Sequence, residues 1–438
     1  MRAGFASVAL RNATAHAASM VSMRRIAVEL ERTIYVVAGL PIALRARFGR
    51  GEGDCGDVRR AFCRRYWSPQ RPLEWVELIV GVVLAPLVVP LAALWFTARN
   101  GPVIRQREGK GIIRHLIDQF QLYVSAGILA PWYYILSLHR DGQRRAPTFL
   151  QRCETKWGVF LLLRSRDGSP LSDKVAFAKR CEANGVRCVP TAFYLDDSTA
   201  LDALALPDVD LFVKPARGRG GKGAQRWDRI GPSMWSNGQD RLDASGLGER
   251  LRATAKQLPL IGQQRVEPHP AIATLTSGAL PTVRALTCLN GSDEAEVVAA
   301  VFRMSFGSSR TVDNIHAGGL ACGVALDGGV LGPASNLGAD ARLGWHDKHP
   351  TTGAQIEGTR LPFWEELRSL AIRAHEAFAD RVIVGWDIAI DADGPIVVEG
   401  NGSPDVDLMQ RFMELGFCQR HRFGELLAHH LRIRGYVG

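Results

Sequence analysis

The chain has 438 residues, 46% of them hydrophobic and 22% charged, with a formal net charge of +10 and eight cysteines. This composition excludes a disordered or low-complexity chain and supplies core material for two or three domains. The cysteines are scattered without CxxC or Cys/His spacing, which excludes a zinc framework and fits buried thiols in a reducing compartment better than disulfides.

From Met1 to Arg71, thirteen arginines stand against five acidic residues, a net +8. Such a segment suits nucleic acid or an anionic membrane surface. The membrane is the better reading, and no nucleic acid is expected, because 78–98 follows as 21 residues without a charge. At about 1.5 Å per residue, that length crosses roughly 30 Å of hydrocarbon. Pro86 and Pro90 favour a kinked span or a re-entrant hairpin over a straight one. A helix buried in a soluble domain stays open as the alternative. Arg64, Arg65 and Arg71 precede the run, and Arg99, Arg105 and Arg107 follow it, so charge does not orient it. The acid-free first 28 residues read either as a transit-peptide-like segment or as sequence before a start at Met20 or Met23. The apolar run 34–44 is too short to span and is expected at an interface. Residues 122–138, with Trp132, Tyr133 and Tyr134, read as helix packing in a soluble part.

Further along, 157–163 is expected as a short strand. Asp173 offers a cap for a helix over 174–184, which Gly185 stops. A strand over 209–214 ends at Pro215 and leads into Gly218-Arg-Gly220-Gly221-Lys222-Gly223. The glycine spacing formally matches a dinucleotide fingerprint, but 224–227 continues as strand where that motif needs a helix. A Walker A loop is excluded, since Gly223 follows Lys222. The segment is therefore expected as a hairpin flap whose unhindered N–H groups meet phosphate oxygens, with Lys214 beside it as a point charge. A flexible surface hairpin is the plainer alternative. A helix over 248–258, a strand over 260–266 and antiparallel strands within 282–326 come next. Phe363, Leu367, Leu370, Ala371, Ala374 and Phe378 recur at helical spacing over 363–378, and a basic amphipathic helix over 420–434 closes the chain. Interleaved helices and antiparallel hairpins make the class α+β.

The most informative stretch is 384–407. Apolar runs 386–390 and 396–398 flank the turn Asp391-Ala-Asp-Gly394, predicting a β-hairpin. Glu399 and Asn401 share a face, with Asp387 opposite them on the partner strand. Three hard oxygen donors at one spot suit Mg²⁺ (or Mn²⁺) beside nucleotide phosphates; a solvated acidic hairpin is the alternative. Arg303 and Arg310 either bind an anionic group or solvate a strand edge.

Taken together, Lys214-Pro, the glycine flap, Gln263-Gln264-Arg-Val266-Glu267 and the Asp387…Glu399-x-Asn401 hairpin resemble an ATP-grasp domain. Leu171-Ser-Asp-Lys174, Val312-Asp-Asn314, His316-Ala-Gly-Gly319, His349-Pro-Thr-Thr-Gly353 and Gly385-Trp-Asp387 make the chain similar to the sugar-transfer-associated ATP-grasp family over roughly 111–410. The resemblance implies two α+β lobes clamping ATP, preceded by a mostly helical, partly hydrophobic N-terminal region. The divisions it suggests are 1–110, a basic region with the apolar segment 78–98; 111–165, a helical region; and 166–435, the ATP-grasp domain.

By the same resemblance, Lys174 and Lys214 would contact the α/β-phosphates beneath the flap of Gly218, Gly220, Gly221, Lys222 and Gly223. Gln264 and the Val266 backbone would take adenine, and Glu267 the ribose, with His269 competing. Arg284 and Lys214 would serve catalysis at the phosphates, and Asp387, Glu399 and Asn401 would hold the metal. The expected activity is a carboxylate–amine or carboxylate–thiol ligase, with substrates that are sugar-linked, at the cytoplasmic face of a bacterial-type membrane. A phosphotransferase without a second step and a non-catalytic scaffold of polysaccharide machinery are the alternatives.

Overall fold

The structure, a computed structural model, describes residues 32–49, 53–164, 169–198, 204–218, 223–307, 315, 318–342, 344–418 and 421–437. The predicted features at 1–31, at Gly220, Gly221 and Lys222, and at Arg310 and His316 lie outside them.

The N-terminal part is helical: 32–48, Gly53–Tyr66, Pro72–Glu108 and Ile112–Ala126. Pro72 opens the third of these at a position where its missing N–H costs nothing, and Gly109, at φ 75, ends it. Pro86, Pro90 and Pro102 sit inside without breaking it, so 78–98 is the middle of one 37-residue helix and not a re-entrant hairpin. Its length is about 55 Å. Val76, Ile79, Val83, Leu87, Leu91 and Leu94 are exposed along it, joined by Ile113, Ile117, Phe120 and Val124 of the next helix. Its inner side packs on helix 32–48 so closely that a Cβ on Gly81 would lie 2.5 Å from Val36 Cγ1. The expectation of an interfacial 34–44 is thus corrected: Val37, Ala38, Ile42 and Ala43 are core.

Two further expectations are corrected. Residues 157–163 form no strand; a capping box between Gln151 and Glu154 opens a helical segment that passes through a π turn (Thr155–Val159) into Phe160–Leu162. A short apolar run fits a buried helix as well as a strand, and the cap decides it. Nor are all cysteines thiols. Cys55 and Cys418 form a disulfide across 363 residues. The helices Gly53–Tyr66 and Arg422–Ile433 pack together there, tied also by Arg432 to Asp54 and Asp57. The other six cysteines are free, all buried except the half-buried Cys188.

Two antiparallel sheets follow. The first contains β1 (Thr191–Leu195), β2 (Leu211–Pro215), β3 (Gln225–Gly231), β4 (Met234–Ser236), β5 (Arg241–Asp243) and β6 (Leu260–Gln264), in the order β1-β6-β2-β3-β4-β5. Helix Ala244–Ala255, capped by Asp243, closes its core over Trp227 and Trp235. The second contains β7 (Thr282–Leu289), β8 (Ala295–Met304), β9 (Leu320–Val324), β10 (Leu331–Ser335), β11 (Trp345–His346), β12 (Ile383–Asp391) and β13 (Gly394–Asn401), in the order β11-β10-β9-β8-β7-β12-β13. Helix Trp364–Ala377 covers one face around Trp386 and Phe378. The other face shares a core with the N-terminal helices and the last helix. Among the described residues, a small hydrophobic cluster of Val189, Ala389 and Ile396 with Val266, Leu280 and Val398 lies between the sheets. The α+β expectation holds.

Candidate active site

The predicted hairpin forms. Asp391 pairs with Gly394 at the turn, whose φ of 117 only glycine adopts without strain. Register places Glu399 opposite Asp387, Asp387 opposite Arg284 on β7, and Arg284 opposite Val301 on β8. Directly opposed residues share a sheet face, so these four side chains stand in one row. Arg303, two residues beyond Val301, joins the same face. Arg284 grips both oxygens of Asp387, with Nη2 2.8 Å from Oδ2, and Arg303 Nη2 is also 2.8 Å from Oδ2. Of the two readings of Arg303, an anion partner is therefore the one realised, and the anion is Asp387.

The electrostatics follow from that clamp. Burial would raise the Asp387 carboxyl, but Arg284 and then Arg303 override it and hold it well below the usual carboxylate range. Glu399 goes the other way: burial and the like charge of Asp387 push it up, against the pull of Lys214, Arg284 and Lys174. Glu399 makes no hydrogen bond or ion pair with a described residue, which leaves its oxygens free to accept. Across the cleft, Lys214 on β2 is only 8% exposed. Burial pulls it down to about 8, with Glu399 and Asp387 opposing and Lys174 assisting. Lys174 opens the helix Lys174–Ala183, whose cap Asp173 accepts from the N–H groups of Val175 and Ala176 at 3.1 Å each. Its Nζ donates to Gly218 O at 3.2 Å, the start of the glycine flap.

At the predicted adenine end, Gln263 is buried and donates to Val189 O at 2.8 Å, while Gln264 and Val266 line the cleft. Glu267 does not line it. Its side chain is 76% exposed and accepts from Arg265 at 3.0 Å. His269 instead caps the helix Pro270–Ala273.

Apart from Glu267 and His269, these groups border one cleft of about 1010 Å³ between the sheets. Sequence reasoning missed its other end. Lys156 Nζ pairs with Asp405 at 2.9 Å, and Arg152 Nε pairs with Asp407 at 2.9 Å. Asp405 was findable, since it lies four residues past Asn401 in the loop that leaves β13. Lys156 carried no signal once its segment was read as a strand.

Among the described residues no three His, Cys, Asp or Glu side chains gather as a metal site. The predicted set counts an amide, and its donor chemistry fits a hard divalent ion unevenly. Glu399 is unengaged, and Asn401 Oδ1 accepts only from Ser403 N–H, at 3.0 Å. Asp387 has both oxygens taken by guanidiniums, so it joins such a set only by yielding one.

Comparison with curated proteins finds no match. Among solved structures, the L-amino acid ligase of Bacillus licheniformis aligns at 13% identity over 59% of this chain and 48% of its own, with a TM-score of 0.34. D-alanine–D-alanine ligase of Bacillus anthracis aligns at 13% identity over 60% and 68%, with a TM-score of 0.33. VanG D-Ala:D-Ser ligase of Enterococcus faecalis aligns at 12% identity over 61% and 62%, also at 0.33. The chain thus spans under half the length of the first. The decisive match is to a family: the model of sugar-transfer associated ATP-grasp covers residues 164–422, from the cleft-lining Arg164 through both sheets to the start of the last helix. That stretch is more than half of the chain and contains the row of Glu399, Asp387 and Arg284 together with Lys174 and Lys214, and on it the chain belongs to the sugar-transfer associated ATP-grasp family.

Proposed function

We propose that the protein is an ATP- and Mg²⁺-dependent ligase (Mn²⁺ substituting) that activates a carboxylate for attack by an amine, thiol or other nucleophile, in envelope or exopolysaccharide assembly. The observation that carries this reading is the meeting, in one cleft, of buried Lys214 from the first sheet with Lys174, on a helix packed against the second sheet, and with half-buried Glu399, which has no hydrogen bond or ion pair among the described residues. In the reaction, a carboxylate oxygen attacks the γ-phosphorus, the bond to the β-phosphate oxygen breaks, and ADP leaves. The nucleophile then bonds to the acyl carbon as the C–O bond to phosphate breaks, releasing inorganic phosphate and the nucleophile's proton.

Lys214 and Lys174 neutralise the α/β-phosphates, and the 218–223 flap shields a water-labile acyl phosphate. Arg284 faces the charge that develops on the transferred phosphoryl group. Gln264 and Val266 take adenine, and Glu267 reaches ribose only by leaving Arg265. Glu399, Asn401 and a released Asp387 oxygen would hold the metal, which when bound neutralises phosphate charge. Hydroxylamine tests the class: a hydroxamate forms only if a carboxylate is phosphorylated, and ADP release without hydroxamate, across carboxylate candidates including sugar acids, would overturn the ligase.

Lys214 gives the reading a pH signature. Its ammonium is lost as pH rises through about 8, so MgATP affinity is expected to weaken above that pH. Lys214→Ala should bind MgATP roughly tenfold or more weakly at pH 7, the worth of one hydrogen bond to a charged group, and lose the dependence above 8. Calorimetry at both pH values checks this; unchanged affinity in the variant contradicts it.

The exposed apolar side of Pro72–Glu108, long and apolar enough to cross a membrane, supports a bilayer location, and the use of ATP puts the cleft on the cytoplasmic side in this reading. Val83→Glu with Leu87→Glu should move the protein from the lipid to the soluble fraction on flotation, at a cost of about 2.5–3.5 kcal/mol per charge near the bilayer centre. Continued flotation would refute the location. Truncating the helix is the poorer test, because its inner side is part of the catalytic lobe's core.

A further inference from the structure

The face of the second sheet that looks into the cleft changes character along its strands. Arg284, Asp387 and Arg303 stand at one end. Two residues along the same strands come Leu286, Gly385 and Val301, and then Ile383 and Ala299, all uncharged; of these Val301 lines the cleft and the others are buried beneath it. Over this apolar end lies the helix Val406–Phe412, seated so tightly that a Cβ on Gly323 of β9 would lie 2.8 Å from Phe412 O. Leu408, Met409 and Phe412 of that helix, with Val301, line the inner end of the cleft. The rim beside them is polar. It carries the Lys156–Asp405 pair and Arg381, whose buried Nε has no hydrogen-bond partner.

A nucleotide has no use for this apolar end, since on the ligase reading its triphosphate lies among Glu399, Lys174 and Lys214. The apolar residues also do not stop at the cleft. They belong to one buried cluster that includes Ala85, with Val89 packed against it, on the helix whose opposite side is the exposed apolar face. Packed apolar side chains therefore run from the inner end of the cleft to the helix proposed to meet the bilayer.

We propose that the second substrate is an amphiphile. Its polar head sits at Lys156, Asp405 and Arg381, and its alkyl or polyprenyl chain runs along Val301, Leu408, Met409 and Phe412. The inference rests on the ligase reading for which end reacts, but the chain-binding site stands on the apolar lining alone.

Photolabelling tests it. Full-length protein in phosphatidylcholine nanodiscs is irradiated with a dodecylamine carrying a diazirine near its chain terminus, and the labelled peptides are mapped. Adducts are expected on the peptide containing Leu408–Phe412. Excess unlabelled dodecylamine should suppress them, with competition weakening roughly fourfold for each methylene removed from the competitor. Leu408→Trp should fill the apolar end of the cleft and lose the adducts, while Met409→Leu keeps them; should the tryptophan variant fail to fold, the chain-length series in wild type decides. Label confined to the exposed side of Pro72–Glu108, or equal competition by propylamine, overturns the proposal. MgATP calorimetry on the same preparation separates the two readings: intact nucleotide binding without the adducts sinks the amphiphile alone, and adducts without nucleotide binding sink the ligase alone.

Discussion

Glu399→Gln is expected to reduce ADP release by about 10²–10³-fold while leaving thermal unfolding unchanged or slightly raised. The substitution keeps shape and removes only charge. In the folded protein that charge is penalised by burial and by Asp387, so its loss does not weaken the fold. Its loss does remove the carboxylate best placed for a divalent ion, being the one without a partner among described residues. Lys214 would also lose the largest charge opposing its desolvation, so its ammonium should be surrendered at lower pH than in the wild type. Steady-state ADP release with paired melting curves is the measurement. Full turnover in the variant would mean that catalysis does not pass through this glutamate.

The largest stability effect is expected at the neighbouring position. Asp387→Leu strands Arg284 and Arg303, both mostly buried, without their shared counter-charge. Breaking a buried pair from one side costs about 3–5 kcal/mol, and for a protein of this size the midpoint should drop by roughly 3–5 °C. Adding Arg284→Met and Arg303→Met to the same variant should recover much of the loss, because no uncompensated guanidinium then remains. Since Asp387 is held well below the usual carboxylate range, its contribution is full at neutral pH and fades only as pH falls below about 4. Melting of the single variant at the wild-type temperature would show that the clamp does not hold the lobe together.

Local chemistry made the hairpin legible: Asp391 to Gly394 can hardly be anything but a tight turn, and a period of two then assigns Glu399 and Asn401 to one face. What local chemistry cannot reveal is who stands on the next strand. Arg284 was suspected of meeting phosphate, but its grip on Asp387 depends on β7 pairing with β12 across about a hundred residues. Arg303 needed β8 as well. The helix cap at Asp173 and the strand ending at Pro215 were readable for the same local reason, and Lys174 and Lys214 came with them. The failures were also of range. Cys55 meets Cys418 only because the second and last helices of the described chain pack together. At 157–163, seven mostly apolar residues fit a strand until the Gln151–Glu154 cap is considered.

The shared core of the N-terminal helices and the second sheet has a mechanical consequence. That half of the clamp is moored, and if the long helix lies in a bilayer, the bilayer fixes where Glu399 and Arg284 stand. The first sheet keeps its own hydrophobic centre and touches its counterpart through a handful of small contacts. Opening and closing would then fall to this one jaw, which would carry Lys214 toward a stationary anvil.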